Sequence, residues 1–534
     1  MMPMKRLIIC SLICLQYIAA MASTERVFVS TDRSSYTSGE RVWCSLFCLD
    51  GDGSLSQQSA VAYIELISTD GCAAQAKIAL QGGRGAGEFV IPADAPTGNY
   101  RLLAYTSLEG GENALSGSKL LSVYNTGSLA RVKDGVVPGM KAEESNPGDC
   151  SDGLTLQAPI KVRRGESFSL VLGGDTADVS VSVCHEDELS QSAAPSFSDF
   201  LAALPISSEA AGPVEYDGET VKGSVLGASG DGLAILSSSG SSDDIYACSF
   251  GPDGNLLFNT GNIFGDRELV CEALNAGDNV RITLQSPFQH PSPGEIPVMG
   301  LHESQSDALM LRKRSLSMQY PTDTIVRFLP RREDQFLHKE DMTRFHLDDY
   351  TRFPSVSEVI VEILPMVRVR THYGKKQLEL AVADGASSRS VFMDHILVLM
   401  DGVMVTDFDL ILGLDAMLLE DIYVCGERIV IGPANFNGVV NFVSKKNYVT
   451  ALDFPNNVCV VDFAGARYPV AYLGESPQGE DLRQVLYWHP SLLLEGERHI
   501  NLTAPGYSGR FCAVAEGLSA DGKAVRAVVH FEGE

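Results

Sequence analysis

The stretch 391–447 constrains the fold of this chain most, because strand, turn and helix signals follow one another closely within it. An apolar run is interrupted at Asp401-Gly402, a dipeptide typical of tight hairpin turns because both central positions must tolerate positive φ. A helix-like segment comes next, and two more strand-like runs follow it on either side of a turn region rich in Gly, Asn and Pro: 410–419, 422–425 and 439–443. This order predicts a compact α+β unit.

The same stretch resembles the plug domain of TonB-dependent outer-membrane receptors. The resemblance rests on DGV at 401–403, EDIYV at 420–424, GPA at 432–434 and, most specifically, GVVNFVSKK at 438–446. Residues 425–427, CGE, stand where the family runs from its strand into a Gly-Pro turn, which indicates a longer loop here. A receptor plug sits inside a barrel of many strands of about 10 residues each, and too few residues follow 446 to build one. We therefore expect this chain not to be the transporter itself.

The clearest helix signal lies at 355–364, just before this stretch. Ser355 and Glu358 form the S-x-x-E pattern of a capping box, and the apolar residues that follow recur at helical spacing on one face. Pro365 ends the pattern, because proline removes a backbone donor and clashes with the preceding turn. The plug-like domain is therefore predicted to begin at 355.

The remaining chain predicts β-sandwiches, with short β-rich runs separated by regular turn signals. The first of these regions resembles the macroglobulin MG2 domain. The resemblance rests on the run 27–43 and on FVIP at 89–92, PTG at 96–98 and AYT at 104–106. Residues 214–286 are similar to the carboxypeptidase regulatory-like sandwich. The similarity rests on Gly223, Val225 and the turn that leads into Phe258. The C-terminal region resembles a further macroglobulin-type module.

The predicted fold class is mainly β and multidomain, with tandem β-sandwiches of macroglobulin or Ig-like type plus an α+β plug-like domain. The predicted segments are a signal peptide at 1–22, an MG2-like sandwich at 23–126, a β-rich Ig/macroglobulin-like domain at 150–213, a carboxypeptidase regulatory-like sandwich at 214–286, a connecting region at 287–354, the plug-like domain at 355–447 and a C-terminal sandwich-like domain at 451–534.

The N-terminus predicts export. Lys5-Arg6 precede an uncharged stretch, and Ala20-Met21-Ala22 supplies small residues for cleavage before Ser23. No later segment is long and apolar enough to predict a membrane span. We expect an exported protein of the periplasm, the outer membrane or the cell surface, and the resemblances point to Bacteroidota envelope proteins.

Charge and cysteine spacing exclude several classes of function. The net charge of −27 argues against nucleic acid as a partner, because binding phosphate requires a cationic surface. The ten cysteines after the predicted signal are scattered and show no Cys-x-x-Cys spacing, so the sequence predicts no metal site and no cofactor. Free buried thiols are the preferred interpretation, although export leaves disulfides open.

Four motifs approach known catalytic or metal-binding patterns and fail at a required position. Cys425-Gly-Glu-Arg428 differs from the macroglobulin thioester motif, since a guanidinium cannot acylate the thiol. His185-Glu186 lacks the second histidine of a zinc protease, and GYSGR at 506–510 lacks the final Gly of a nucleophile elbow. DGDGS at 50–54 lacks the Gly and Glu that a calcium loop needs.

These observations predict a non-enzymatic exported envelope protein, a docking module associated with outer-membrane transport machinery, whose partner is an envelope or outer-membrane protein. The loop 426–438 is the predicted contact, because exposed loops on rigid scaffolds commonly carry recognition. Its candidate contact residues are Gly426, Arg428, Asn435, Phe436 and Asn437. Two alternatives stay open: a macroglobulin-like protease inhibitor without a thioester, and a hydrolase whose catalytic residues assemble only in three dimensions.

Overall fold

The computed structural model of this chain describes residues 25–127, 136–138, 153–189, 196–204, 211–240, 244–276, 279–317, 325–328, 342–383, 390–477 and 479–534. Two compact units divide the chain. The first unit is Met1–Gly218, Phe288–Pro330 and Ala466–Glu534, and the second is Glu219–Pro287 and Arg331–Gly465. The predicted signal peptide lies outside the described residues, as does Cys150.

Strands dominate the described residues, which confirms the mainly β fold class predicted from the sequence. The first nineteen strands are β1 Arg26–Thr31, β2 Ser35–Thr37, β3 Arg41–Leu49, β4 Val61–Ser68, β5 Gly71–Gln81, β6 Arg84–Val90, β7 Gly98–Tyr105, β8 Lys119–Tyr124, β9 Val136–Pro138, β10 Leu154–Gln157, β11 Lys161–Val162, β12 Ser167–Gly174, β13 Ala177–Glu186, β14 Thr220–Leu226, β15 Gly232–Ser238, β16 Ile245–Phe250, β17 Asn255–Asn259, β18 Asp266–Leu274 and β19 Arg281–Leu284. The others are β20 Met299–Leu301, β21 Ile325–Arg327, β22 Thr343–His346, β23 Val367–His372, β24 Lys375–Ala383, β25 Ser390–Met393, β26 Leu397–Met400, β27 Val403–Met404, β28 Leu419–Cys425, β29 Ile429–Ile431, β30 Ala434–Phe436, β31 Val439–Ser444, β32 Val458–Ala464, β33 Ala466–Arg467, β34 Val470–Tyr472, β35 Val485–Leu494, β36 Arg498–Thr503, β37 Gly509–Ser519 and β38 Ala524–Gly533.

Helices are few and short among the described residues. The α-helices are α1 Phe197–Ala202, α2 Ser306–Ser317, α3 Val356–Ile363 and α4 Phe408–Leu412. Short 3-10 helices lie at Gly111–Gly117, Glu303–Gln305, Leu347–Asp349, Ala416–Leu418 and Val449–Ala451. In the described part of the chain, no helix combines the length and the apolar character needed to cross a membrane.

The N-terminal part of the first unit is a curled sheet in the order β1-β3-β6-β5-β4-β7-β8-β2, with β33 beside β5. Strands from distant points of this order share one core, in which Val29, Cys44, Ile64 and Leu102 are almost fully buried. A turn at 37–40 joins β2 to β3, and in it the Glu40 N–H donates to the Thr37 carbonyl at 3.0 Å.

A second sandwich in the first unit joins segments that are far apart in sequence. One sheet has the order β11-β38-β37-β13-β35-β34-β21 and the other is β10-β12-β36. Strand β13 pairs with β37 on one side and with β35 on the other. The strands around 154–186 and 485–533, which the sequence analysis placed in two different predicted domains, therefore share one core. The predicted domain boundaries stay predictions.

The second unit begins with a small sandwich of the sheets β17-β14-β19 and β16-β15-β18-β32. Its core is built from inward residues of both sheets, such as Val225, Leu236, Phe258 and Leu269. Strand β32 comes from the region after 447 and pairs antiparallel with β18.

The rest of the second unit is the α+β arrangement that the stretch 391–447 predicts, built on the sheet β22-β28-β31-β26-β27. Asp401 and Gly402 have φ values of 50° and 85°, so the predicted tight turn is confirmed. Helix α3 is confirmed as well, and the Ser355 hydroxyl and Glu358 carboxylate form the predicted capping box. The helix-like segment at 410–419 is shorter than predicted, because α4 ends at Leu412 before Gly413.

Glu272 in β18 is a buried carboxyl, 3% exposed, that accepts a hydrogen bond from the Thr406 hydroxyl. Burial raises the pKa of Glu272 to about 7, the Thr406 hydrogen bond opposes this shift, and the nearby Asp407 adds to it. Because this folded-state pKa lies above that of the unfolded chain, the carboxyl stabilises the fold at low pH only. The second unit should lose stability as pH rises from about 4.5 through about 7.

We expect Glu272→Gln to stabilise the second unit by about 2 kcal/mol more at pH 8 than at pH 5, since the amide has no charge to desolvate. The measurement is urea unfolding at both pH values. Unfolding is monitored by chemical labelling of the neighbouring Cys271 thiol, which is fully buried in the folded state. The exposed Glu427→Gln is the charge-matched control. An equal increase in the free energy of unfolding at both pH values for Glu272→Gln would contradict the prediction.

Candidate functional site

The predicted contact loop, 426–438, contains a small hairpin formed by β29 and β30. Ile429, Ile431 and Phe436 point into an apolar cluster and are less than 10% exposed. Val430, between them on the other face, is 61% exposed. The hairpin therefore has an anchored inner face and an exposed outer face, as period-2 alternation requires.

The five predicted contact residues do not share one surface. Arg428 and Asn435 are exposed and lie together, with Arg428 Nη2 3.4 Å from Asn435 Oδ1. Asn437 and Gly426 are half-buried, and the Asn437 amide donates to the Asp394 carbonyl at 2.9 Å. Phe436 is 3% exposed and packs inward, so its side chain holds the hairpin in place. The alternation of a polar and an apolar residue at Asn435 and Phe436 is the sequence signal that distinguishes an exposed contact residue from a buried anchor.

A second hairpin, outside the predicted contact loop, presents the most exposed aromatic side chain among the described residues of the second unit. Strands β23 and β24 pair from Val367 opposite Leu380 to His372 opposite Lys375. The turn between them is Tyr373-Gly374, with φ values of 48° and 81°. The Tyr373 side chain is 95% exposed, and its ring lies edge-on to His372, 4.3 Å between centroids. We call residues 367–380 the basic hairpin.

The basic hairpin has one apolar face and one charged face. Val367, Leu378 and Leu380 are buried in the core of the second unit. The opposite face carries Arg368 and Arg370, both within ion-pair distance of Glu379. The Arg368 guanidinium also lies 3.9 Å from the centre of the Phe392 ring on β25. Pairing and stacking of this kind stiffen long side chains and orient them.

The charge of the basic hairpin is opposite to that of the whole chain. Residues 367–376, VRVRTHYGKK, contain four Lys or Arg residues and no Asp or Glu, whereas the net charge of the chain is −27. Lys376 pairs with Asp409 in the first turn of α4 at 2.7 Å, which ties the hairpin to that helix. Lys375, at the tip, is exposed. A local positive charge on an acidic protein favours contact with an acidic surface.

The predicted loop and the basic hairpin are neighbours. A Cβ added at Gly426 would lie 3.6 Å from the Ala381 carbonyl of β24, and one added at Gly438 would collide with Leu380. The positive φ of Gly438, 139°, and this close approach both require glycine. The exposed residues Arg428 and Asn435 thus belong to the same module as Tyr373.

Three of the four motifs that fail a catalytic or metal-binding pattern lie in strands or turns, where their side chains have structural contacts. His185 lies in β13, is 7% exposed, and its Nδ1 is 3.2 Å from Gln484 Oε1; burial lowers the pKa of this histidine. Asp52 accepts hydrogen bonds from the backbone and hydroxyl of Ser54 in an exposed turn. Cys425 is the last residue of β28 and is half-buried.

Comparison with known proteins does not establish a family. No protein-family model matches the chain, and no curated protein gives a significant match. Among solved structures, trypsin-activated alpha-2-macroglobulin from Escherichia coli aligns over 96% of this chain and 41% of its own, with 9% identity and a TM-score of 0.24. Methylamine-reacted Salmonella alpha-2-macroglobulin aligns over 96% and 39%, with 10% identity and a TM-score of 0.24. Dimeric latent PorU from Porphyromonas gingivalis aligns over 49% and 33%, with 10% identity and a TM-score of 0.17.

The chain spans about two fifths of the length of the macroglobulins with which it aligns. At these identities and TM-scores the similarity supports no conclusion on function.

Proposed function

We propose that this chain is a non-enzymatic, exported envelope protein that docks through the basic hairpin onto an acidic surface of an envelope protein. The single observation that carries the proposal is the tip of that hairpin. It exposes 95% of Tyr373 beside His372 and Lys375, within a ten-residue run that has no acidic residue.

The physical chemistry of the tip suits recognition. Tyrosine combines a large apolar ring with a hydroxyl and has few rotatable bonds, so little conformational entropy is lost when it is buried by a partner. The two-residue turn and the strand pairing hold the ring in position before binding, which lowers the ordering cost further. Lys375, which takes part in none of the ion pairs described above, attracts an acidic partner over several ångströms and disfavours a basic one.

The sequence resemblances support the cellular setting of this proposal. The plug-like motifs at 401–446 associate the module with outer-membrane transport machinery, and the predicted signal peptide supports export. The exposed pair Arg428 and Asn435 extends the proposed contact, because Gly426 packs against the same hairpin.

The test places a photo-crosslinking amino acid at position 373 of the full chain in its native envelope. We expect an adduct with one envelope protein from position 373 and none from position 446, which lies in an exposed turn of the same unit. Mass spectrometry of the adduct identifies the partner and its crosslinked peptide, which should come from an acidic surface.

Substitutions then test the charge and the ring separately. Tyr373→Ala should lower the amount of captured partner about tenfold or more, because buried tyrosine anchors are worth about 2 kcal/mol at interfaces. Arg370→Glu/Lys375→Glu should do the same by repelling an acidic surface. The control with the same change of charge is Lys445→Glu/Lys446→Glu, which should retain capture. Equal recovery of the partner by all of these variants would overturn the proposal.

A further inference from the structure

A β-bulge in the first unit places Cys72 on the same face of the sheet as Glu65. In the β4–β5 ladder Glu65 lies opposite Gln75, and Leu66 opposite Ala74, but Ile67 lies opposite Cys72. One residue, Ala73, is therefore left without a partner. In a regular ladder Ala73 would take the place opposite Ile67, and Cys72 would project from the other face. The bulge is what brings the thiol to the carboxylate.

His290 completes the group from a segment more than two hundred residues away. Its backbone has a φ of 49°, a left-handed conformation that is sterically disfavoured for a residue with a Cβ. The conformation is held by the carboxylate of Glu65: the His290 backbone N–H donates to Oε1 at 3.0 Å, and ring Nδ1 lies 2.6 Å from Oε2. Disfavoured backbone conformations that the surroundings enforce are concentrated at functional sites.

The two oxygens of Glu65 have different surroundings. Oε1 accepts hydrogen bonds from the Tyr105 hydroxyl and from the backbone N–H groups of Gln289 and His290. These donors fix the orientation of the carboxylate, as outer-shell partners of metal ligands commonly do. Oε2 lies against His290 Nδ1. Glu65 is itself fully buried, whereas the side chain of His290 is 55% exposed.

We propose that Glu65, Cys72 and His290 bind one divalent cation of the zinc class. A thiolate, an imidazole nitrogen and a carboxylate oxygen are the three donor types that Zn²⁺ uses in proteins, and here one of each lies within 4.8 Å of the other two. Three protein ligands leave one tetrahedral position. The exposure of His290 opens that position to water or to a donor atom from a ligand.

Binding must displace the proton of the thiol. At present the Cys72 sulfur is 3.3 Å from the Ala74 carbonyl, the geometry of a hydrogen bond donated by S–H. Burial, together with the charge of Glu65, raises the pKa of this thiol to about 12. The metal ion replaces the proton on sulfur, and that proton leaves to solvent. It also replaces the proton shared between His290 Nδ1 and Glu65 Oε2, which moves to Nε2 of the ring, and no electron is transferred.

The competing interpretation is a plain ion pair between Glu65 and His290. The role of Cys72 distinguishes this interpretation from a metal site. An ion pair gains nothing from a sulfur at this position, whereas a metal site of this kind depends on it. The decisive variants are therefore Cys72→Ser and His290→Gln. Glu65→Gln is unsuitable, because that carboxylate also accepts several buried hydrogen bonds.

The experiment titrates the full-length protein with Co²⁺ under reducing conditions and follows the thiolate-to-cobalt charge-transfer absorption, with Zn²⁺ added afterwards to displace the cobalt. We expect one ion per chain. Cys72→Ser should abolish the charge-transfer band, and each decisive variant should weaken Zn²⁺ binding about 100-fold. Cys459→Ser and His302→Gln, which change the same residue types elsewhere, should bind like the wild type.

Fluorescence of the two tryptophans provides the folding control, because Trp43 and Trp488 both belong to the first unit. Wild-type emission in each variant shows that the fold is retained. A wild-type protein that takes up no stoichiometric Co²⁺ or Zn²⁺ would overturn the proposal. So would folded Cys72→Ser protein with unchanged Zn²⁺ affinity, and the group would then be an ion pair that holds the segment 288–290.

Discussion

Replacing Arg312 with alanine is expected to destabilise the first unit by about 3–5 kcal/mol, because it leaves a buried carboxylate without its counter-charge. Arg312 lies on α2 and is fully buried. Its guanidinium donates two hydrogen bonds of 2.7 Å to Asp187, and two more, of 2.8 and 2.9 Å, to the carbonyl and hydroxyl of Ser35. One side chain thus joins α2 to β2 and to the residue that follows β13.

The titration of Asp187 depends on the same contact. Burial by itself raises the pKa of this carboxyl, but the adjacent Arg312 guanidinium outweighs it and holds the pKa below its usual range. In Arg312→Ala the carboxylate would lose this partner and keep His185, 3.9 Å away. The cost of the substitution should therefore be smaller at acidic pH, where Asp187 can take up a proton.

Urea unfolding followed by tryptophan fluorescence measures this effect, since both tryptophans lie in the first unit. The control is Arg314→Ala on the same helix, because Arg314 pairs with Glu480 at the surface and such pairs contribute about 0.5 kcal/mol. The double variant Arg312→Met/Asp187→Leu should recover most of the stability that Arg312→Ala loses, as apolar replacements of buried ion pairs commonly do. A loss for Arg312→Ala no larger than that for Arg314→Ala would show that the buried pair contributes little.

Replacing Asp401 with alanine is expected to destabilise the second unit by about 3–4 kcal/mol. The Asp401 carboxylate is buried and accepts hydrogen bonds from the backbone N–H and hydroxyl of Ser444, at 2.6 and 2.7 Å, and from the Val449 N–H at 3.2 Å. Alanine leaves these donors buried without an acceptor. It also adopts the φ of 50° less readily than aspartate does.

The unfolding of the second unit can be followed by labelling of the buried Cys271 thiol in increasing urea. Asp401→Asn should have a smaller effect, because asparagine tolerates positive φ and keeps one acceptor oxygen. Asp415→Ala is the matched control: Asp415 is exposed and caps a 3-10 turn, so its loss should cost about 1 kcal/mol. Equal destabilisation by Asp401→Ala and Asp415→Ala would contradict the proposed role of the buried carboxylate.

Elements with a complete local signal could be predicted from the sequence. The capping box of Ser355 and Glu358 correctly predicts α3, and the Asp401-Gly402 dipeptide correctly predicts the tight turn between β26 and β27. In both cases residues a few positions apart supply the hydrogen bonds or the backbone freedom that the element needs. The predicted helix at 410–419 was wrong in length, because the stop at Gly413 outweighs an apolar run that only resembles a helix.

The candidate contact residues were less predictable. A Gly- and Asn-rich loop indicates exposure of the backbone, but only alternation along β30 shows that Phe436 points inward while Asn435 points outward. The tip residue Tyr373 was not predicted, although the absence of acidic residues at 367–376 is visible in the sequence. What the sequence does not display is that the tip remains uncovered by the rest of its unit.

Neighbouring residues specify the local structure of this chain: its mainly β character, a capped helix and a tight turn. Which strands pair and which side chains meet depends on the tertiary fold. It joined β13 to β35 and β37 across some three hundred residues, and it brought His290 to Glu65 and Cys72. The physical reason is that distant pairing depends on the burial of many apolar side chains at once, in competition with loop-closure entropy, and no local pattern records that sum.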